Sequence, residues 1–305
     1  MKGDRLFFLA LLPFGAIVVA IFIVFISTLL YNSLPIFLHE GLMVYTSSTW
    51  RPVENNPGAE AYGLLAPMIG TLEVSFLAII ISFIPGLSLA IMIEEYLPTG
   101  LKSFMETIIE VMAGLPTVLY GMWASLFLAN YLKSDLMIPL HKALWFIPIF
   151  GCMPESPYTV FIAGIILGIM IMPYMVGLIL DGIRQIPGKI REACYSLGMT
   201  KYETIRILLR LMRPVIIASL LLSLGRAAGE TIAVSLTIGN TYNIPECLFT
   251  PGYTISSLIA DQFGNSGFYV YMTSALYAGG LFLLLLGVIT SSTGLYLMRR
   301  WKTSV

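Results

Sequence analysis

Six runs of more than twenty mainly apolar residues recur along this chain, separated by polar, turn-rich segments. That recurrence leaves few folds open. A helix needs about 20 apolar residues to cross a hydrocarbon core roughly 30 Å thick. Within that core the backbone can satisfy its polar groups only in helices or closed barrels. The runs fall at residues 6–30, 66–93, 104–131, 158–180, 214–238 and 270–298. The chain is 57% hydrophobic and 11% charged, where ordinary globular chains carry about a quarter charged residues. It reads as an all-α integral membrane protein of six transmembrane helices. One domain is expected over 1–305, with its core at 64–298 and no segment long and polar enough for a second, soluble domain.

The first run follows Lys2 and Arg5 and exceeds the 7–15 apolar residues of a signal peptide, so a retained anchor is expected. Residues 31–65, 132–157 and 239–269 are rich in Pro, Gly and Asn and read as loops on one side of the membrane. The basic residues set the orientation. Lys2, Arg5, Lys102, seven residues between 181 and 213, and Arg299, Arg300 and Lys302 lie on one side; only Arg51, Lys133 and Lys142 lie on the other. The excess marks the cytoplasmic face, which places both termini there in a multi-pass protein of the plasma membrane.

Arg226, the remaining cation, belongs to neither face. It lies with Glu230 inside the fifth run, Pro214–Ile238, flanked by Gly225 and Gly229. A charge at the bilayer centre costs about 2.5–3.5 kcal/mol on insertion scales. In a continuous helix Arg226 stands roughly 20 Å above Arg213, with Glu230 one turn further on the same face. An i,i+4 ion pair locking neighbouring helices is one reading. A polar lining for a charged solute is the other, favoured because small flanking residues let a solute or a second backbone approach. In that reading Arg226 contacts an anion through a bidentate guanidinium, Glu230 offsets part of its charge, and Thr231 offers a hydroxyl. Cys152, Cys194, Cys247, His39 and His141 are not at metal-ligand spacing. Cys152 and Cys247 fall in loops where an oxidising environment permits a disulfide, although their proximity is not given by sequence, and Cys194 is expected free.

Residues 181–213 form the most polar segment. Pro187-Gly188 opens a short helix with Ile190, Ala193, Cys194 and Leu197 on one side, Gly198 ends it, and Thr200 with Glu203 forms a capping box for a second helix. A bent two-helix knob under the membrane is expected, suited to a soluble partner or to lipid headgroups.

Glu192-Ala193-Cys194, followed by Gly198, resembles the EAA–Gly signature of importer permeases of ATP-binding-cassette transporters. Cys194 stands where the second alanine is usual, and the Leu-Pro near the motif's end is absent, with Arg210-Leu211 about there. Gly225-Arg-Ala-Ala-Gly-Glu-Thr-Ile-Ala-Val234, Leu248–Ala260 and Gly114-Leu-Pro-Thr-Val-Leu-Tyr-Gly121 look like the phosphate-specific (Pst) permeases of the PstC type. The resemblance implies a type I, MetI-like permease fold. It implies a coupling helix bearing Glu192, Ala193, Cys194 and Gly198, and an anion path at Arg226, Glu230 and Thr231. The implied partners are a PstA-type permease, two ATPase subunits and an external phosphate-binding protein. Nucleic acid is not among them. ATP and Mg would sit on the ATPases, since no phosphate loop occurs in this sequence; the chain itself would be a non-catalytic subunit without cofactor. Permeases for molybdate, tungstate or sulfate carry similar motifs. An ATP-independent channel or secondary transporter, and a structural or signalling subunit, remain the other readings.

Overall fold

The computed structural model describes residues 2–54 and 56–302. Four helices are long and apolar enough to cross a membrane, or six if each of two bent pairs counts as one span. The long ones are α1 (Lys2–Glu40), α2 (Leu65–Ile91), α7 (Val160–Arg184) and α13 (Met272–Lys302). Helix α7 is central: 67% of its apolar window is buried within the chain, against none of the corresponding window of α1, although Leu29 and Ile36 of α1 are buried. Helix α2 lies along α7, and α10 (Arg213–Ala228) packs on α13.

The chain leaves α1 later than expected. The helix runs through Asn32 and Pro35 to Glu40, and the Ile36 N–H donates to Ser274 Oγ of α13 at 2.9 Å. The described remainder of the first loop holds two 3-10 turns, Gly41–Tyr45 and Pro57–Ala59, and a two-stranded antiparallel pair, β1 (Trp50–Arg51) and β2 (Ala61–Tyr62). Buried Glu60 beside that pair accepts from the N–H groups of Val270 (3.2 Å) and Tyr271 (3.0 Å), just ahead of α13.

The third expected span, 104–131, is redrawn. Helix α3 (Thr99–Gly114) meets the helical stretch Thr117–Leu144 at 86°. That second limb comprises α4 (Thr117–Trp123), α5 (Ala129–Leu132) and α6 (Ile138–Leu144), joined by π turns. The elbow is local chemistry. Leu115 precedes Pro116 and is extended (φ −65°, ψ 137°), as crowding by the proline ring favours. Tyr120 Oη donates to Met112 O across the bend at 2.9 Å. The loop expected at 132–157 therefore begins only after Leu144. It contains Cys152, which is disulfide-bonded to Cys247 with a Cα–Cα distance of 6.1 Å.

The polar segment folds as the bent knob its sequence suggests. Helix α8 (Gly188–Ser196) turns at Gly198, whose φ is +75°, into α9 (Lys201–Leu211). Thr200 and Glu203 form the reciprocal capping box. Helix α9 then bends 62° into α10.

Candidate functional site

The fifth apolar run does not continue as one helix to Ile238. Helix α10 stops at Ala228; Gly229, Glu230 and Thr231 form a break before the short α11 (Ile232–Ser235). No ion pair joins Arg226 and Glu230 among the described residues, although the Glu230 N–H still donates to Ala227 O at 3.1 Å across the end of α10. The expectation of one continuous helix over Pro214–Ile238 is corrected by this break.

Each member of the trio has its own setting. Arg226, in the last turn of α10, is exposed on the isolated chain and lies over the Tyr174 ring of α7, 4.9 Å from guanidinium carbon to ring centroid. That cation–π contact fixes the arginine laterally while leaving its N–H fork open. Glu230 is half-buried; its Oε1 turns back to accept the Ala233 N–H at 3.4 Å, capping α11. Its carbonyl accepts the Ser256 hydroxyl at 2.6 Å. Thr231 Oγ1 donates to Gly229 O at 3.2 Å. Arg226 is thus the free cation of the arrangement, whereas Glu230 and Thr231 also hold the broken backbone in shape.

The expected loop 239–269 contains a third part of this site. Helix α12 (Ile255–Gln262) begins with a buried hydroxyl cluster in which Thr254 and Ser257 form a capping box. Thr71 Oγ1 of α2 accepts the Ile255 N–H at 2.9 Å. Ser256 and Tyr174 were not singled out from sequence, although Ser256 lies inside the motif 248–260. The Gly114–Gly121 motif joins the same assembly: a Cβ on Gly121 would stand 2.8 Å from Ala233 Cα, so α4 touches α11 backbone to backbone. A break inside an apolar span, with its irregular backbone covered by protein, is the form in which such breaks are tolerated.

On the polar knob, Glu192, Ala193 and Gly198 are exposed, while the Cys194 thiol is buried and free. Cys194 therefore supports α8 from beneath and does not face a partner. No side chain adjoins the Cβ direction of Gly198, so glycine is required there by backbone sign. The exposed Glu203 carboxyl is held below its usual range by the Thr200 N–H and hydroxyl.

Among the described residues, no group of three His, Cys, Asp or Glu side chains could hold a metal ion. The family model for binding-protein-dependent transport system inner membrane components matches residues 86–303. A probable phosphate transport system permease protein PstC from Methanocaldococcus jannaschii is 40% identical over 96% of this chain and 93% of its own length. The PstC protein of Pasteurella multocida is 32% identical over 90% of this chain and 85% of its own. Among solved structures, the inward-facing MetNI methionine ABC transporter superposes with a TM-score of 0.56 at 15% identity, covering 78% of this chain and 95% of the matched one. That last likeness concerns the fold.

Proposed function

The chain belongs to the binding-protein-dependent transport system inner membrane components and, within them, to the PstC-type phosphate permeases, and from that premise we propose that it forms half of an ATP-driven phosphate path. It is the permease subunit of an importer for inorganic phosphate.

The observation that carries the path assignment is Arg226. A guanidinium deep in an apolar span, seated on an aromatic ring and exposed on the open face of a single chain, suits a surface completed by a second permease around a water-filled route. Arginine stays charged in such a setting and offers two parallel hydrogen bonds to a tetrahedral oxyanion. Glu230 tempers that attraction, so the anion meets a site shallow enough to leave. Thr231 supplies a further hydroxyl.

The remaining subunits follow from what this chain does not supply. Two ATPase subunits would grip the knob at Glu192, Ala193 and Gly198, with Cys194 supporting it, and would bring ATP and Mg. A PstA-type permease would cover the Arg226 face. An external binding protein would deliver phosphate on the side of the Cys152–Cys247 disulfide, opposite the basic cytoplasmic face. Molybdate, tungstate and sulfate are disfavoured by the PstC kinship, and an ATP-independent channel leaves the exposed knob without use. The test is ATP-dependent uptake of labelled phosphate, sulfate and molybdate into vesicles holding the reconstituted complex. Phosphate uptake that vanishes without ATP is expected; preference for another oxyanion, or uptake without ATP, would overturn the reading.

A further inference from the structure

We propose that the π turn continuing α2, Met92–Tyr96, is a clamp that ties the knob to the membrane helices, and that Glu95 and Arg191 are its positioning pair. The proposal rests on the permease reading above and adds a route by which motion of α8 reaches α2.

This turn is a π turn, closed by the Leu97 N–H on Met92 O at 3.1 Å. Its three final residues take partners from four different helices. Glu94 pairs with Lys102 of α3 at 2.7 Å and with Arg184 of α7 at 3.0 Å. Arg184 also pairs with Glu106 of α3. Glu95 accepts from Arg191 of α8 at 2.9 Å. The Tyr96 ring lies under Lys201 of α9, 4.4 Å from Nζ to centroid. One turn thus holds α3, α7 and both arms of the knob.

Two physical points make this more than a surface charge cluster. First, carboxylates at a helix C-terminus oppose the helix dipole, so Glu94 and Glu95 are unfavourable where they stand unless cations meet them. Second, Glu95 and Arg191 are only 11% and 24% exposed in their side chains, so the pair is shielded more than an ordinary surface bridge. Arg191 also reaches Ile183 O of α7 at 3.5 Å, and it immediately precedes Glu192 on α8. Pulling on the knob at Glu192 therefore loads Arg191, and through Glu95 it loads α2. Since α2 carries Thr71, which holds the start of α12 beside Glu230, the chain of contacts runs from knob to site.

The experiment compares Glu95→Gln, Arg191→Gln and the exchanged pair Glu95→Arg/Arg191→Glu in the reconstituted complex, reading ATP hydrolysis and phosphate moved per ATP. Both single variants should keep hydrolysis within about twofold while phosphate per ATP falls at least about fivefold, and the exchange should recover at least half of that loss, since a pairwise interaction is what a double-mutant cycle isolates. A second readout does not depend on the solute. Spin labels at Ser88→Cys in α2 and Lys189→Cys in α8, in a Cys194→Ser background, should keep one distance with and without ATP. In Glu95→Gln that distance should broaden. Unchanged phosphate per ATP in the single variants, or an unchanged spin-label distance in Glu95→Gln, overturns the clamp. A wild-type complex that moves no phosphate overturns the permease reading instead, and leaves the distance measurement to judge the clamp.

Discussion

Arg226 makes no ion pair among the described residues, and Tyr174 offers it a π face. Replacement by glutamine preserves length and part of the hydrogen bonding but removes the charge. Hydrogen bonds to a charged group are worth about 1.5–3 kcal/mol, so Arg226→Gln should lower phosphate uptake at least about tenfold while the complex still assembles; undiminished uptake would remove Arg226 from the path. Glu230→Gln should be milder and slow turnover, because the amide oxygen can still cap α11 at Ala233. Gly198 poses the opposite kind of constraint. With φ at +75° and open space around it, valine would meet no neighbour yet would strain the backbone, at roughly 1–2 kcal/mol for a left-handed L-residue and more for a β-branched one. Gly198→Val should insert and assemble but hydrolyse ATP without matching uptake. Normal coupling in that variant would mean the turn is not needed for docking.

At the scale of elements, the elbow at Pro116 redirects two consecutive helices, whereas the disulfide joins parts that lie far apart in sequence. The Cys152–Cys247 bond ties the loop after α6 to the loop after α11, closing a separation of 95 residues. Such a bond stabilises typically by about 2–4 kcal/mol. Cys247→Ser should lower the unfolding midpoint of the purified complex, and reductant should do the same to the parent but not to the variant; equal midpoints would show that the bond does not form. The elements themselves were unevenly legible. The knob, its capping box at Thr200 and Glu203 and the left-handed Gly198 could be read because their causes are local. The 86° turn at Leu115-Pro116 was hidden by uniform apolarity, which reports burial in lipid but not direction. The break after Ala228 was hidden for a different reason. Its stabilising donor, the Ser256 hydroxyl on Glu230 O, comes from a segment 26 residues on, and a tertiary partner leaves no trace in local periodicity. Arg226 was identifiable because a charge in a span is costly wherever it points. That its helix ends two residues later, before Glu230, was not legible there.

For the whole molecule, the proposed sidedness rests on two independent features that must agree. The basic residues at 181–213 and the Arg299-Arg300 pair crowd one end of the helix bundle, where juxtamembrane cations favour the cytoplasm. The disulfide and the β1–β2 pair occupy the other end, and disulfides persist in oxidising compartments. The redrawn third span preserves this arrangement. Helix α3 lies on the basic side, pinned through Lys102 and Glu106 to Glu94 and Arg184, and Thr117–Leu144, at 28 residues or about 42 Å of helix, is long enough for the crossing. Exposed Asn56 and exposed Lys189 are suitable reporters for the two ends. In a Cys194→Ser background, an impermeant thiol reagent added to intact cells should label Asn56→Cys and spare Lys189→Cys; in inverted membrane vesicles the pattern should reverse. Labelling of Lys189→Cys from outside would invert the chain. It would also place the knob out of reach of any cytoplasmic ATPase, so this measurement judges the coupling assignment along with the topology.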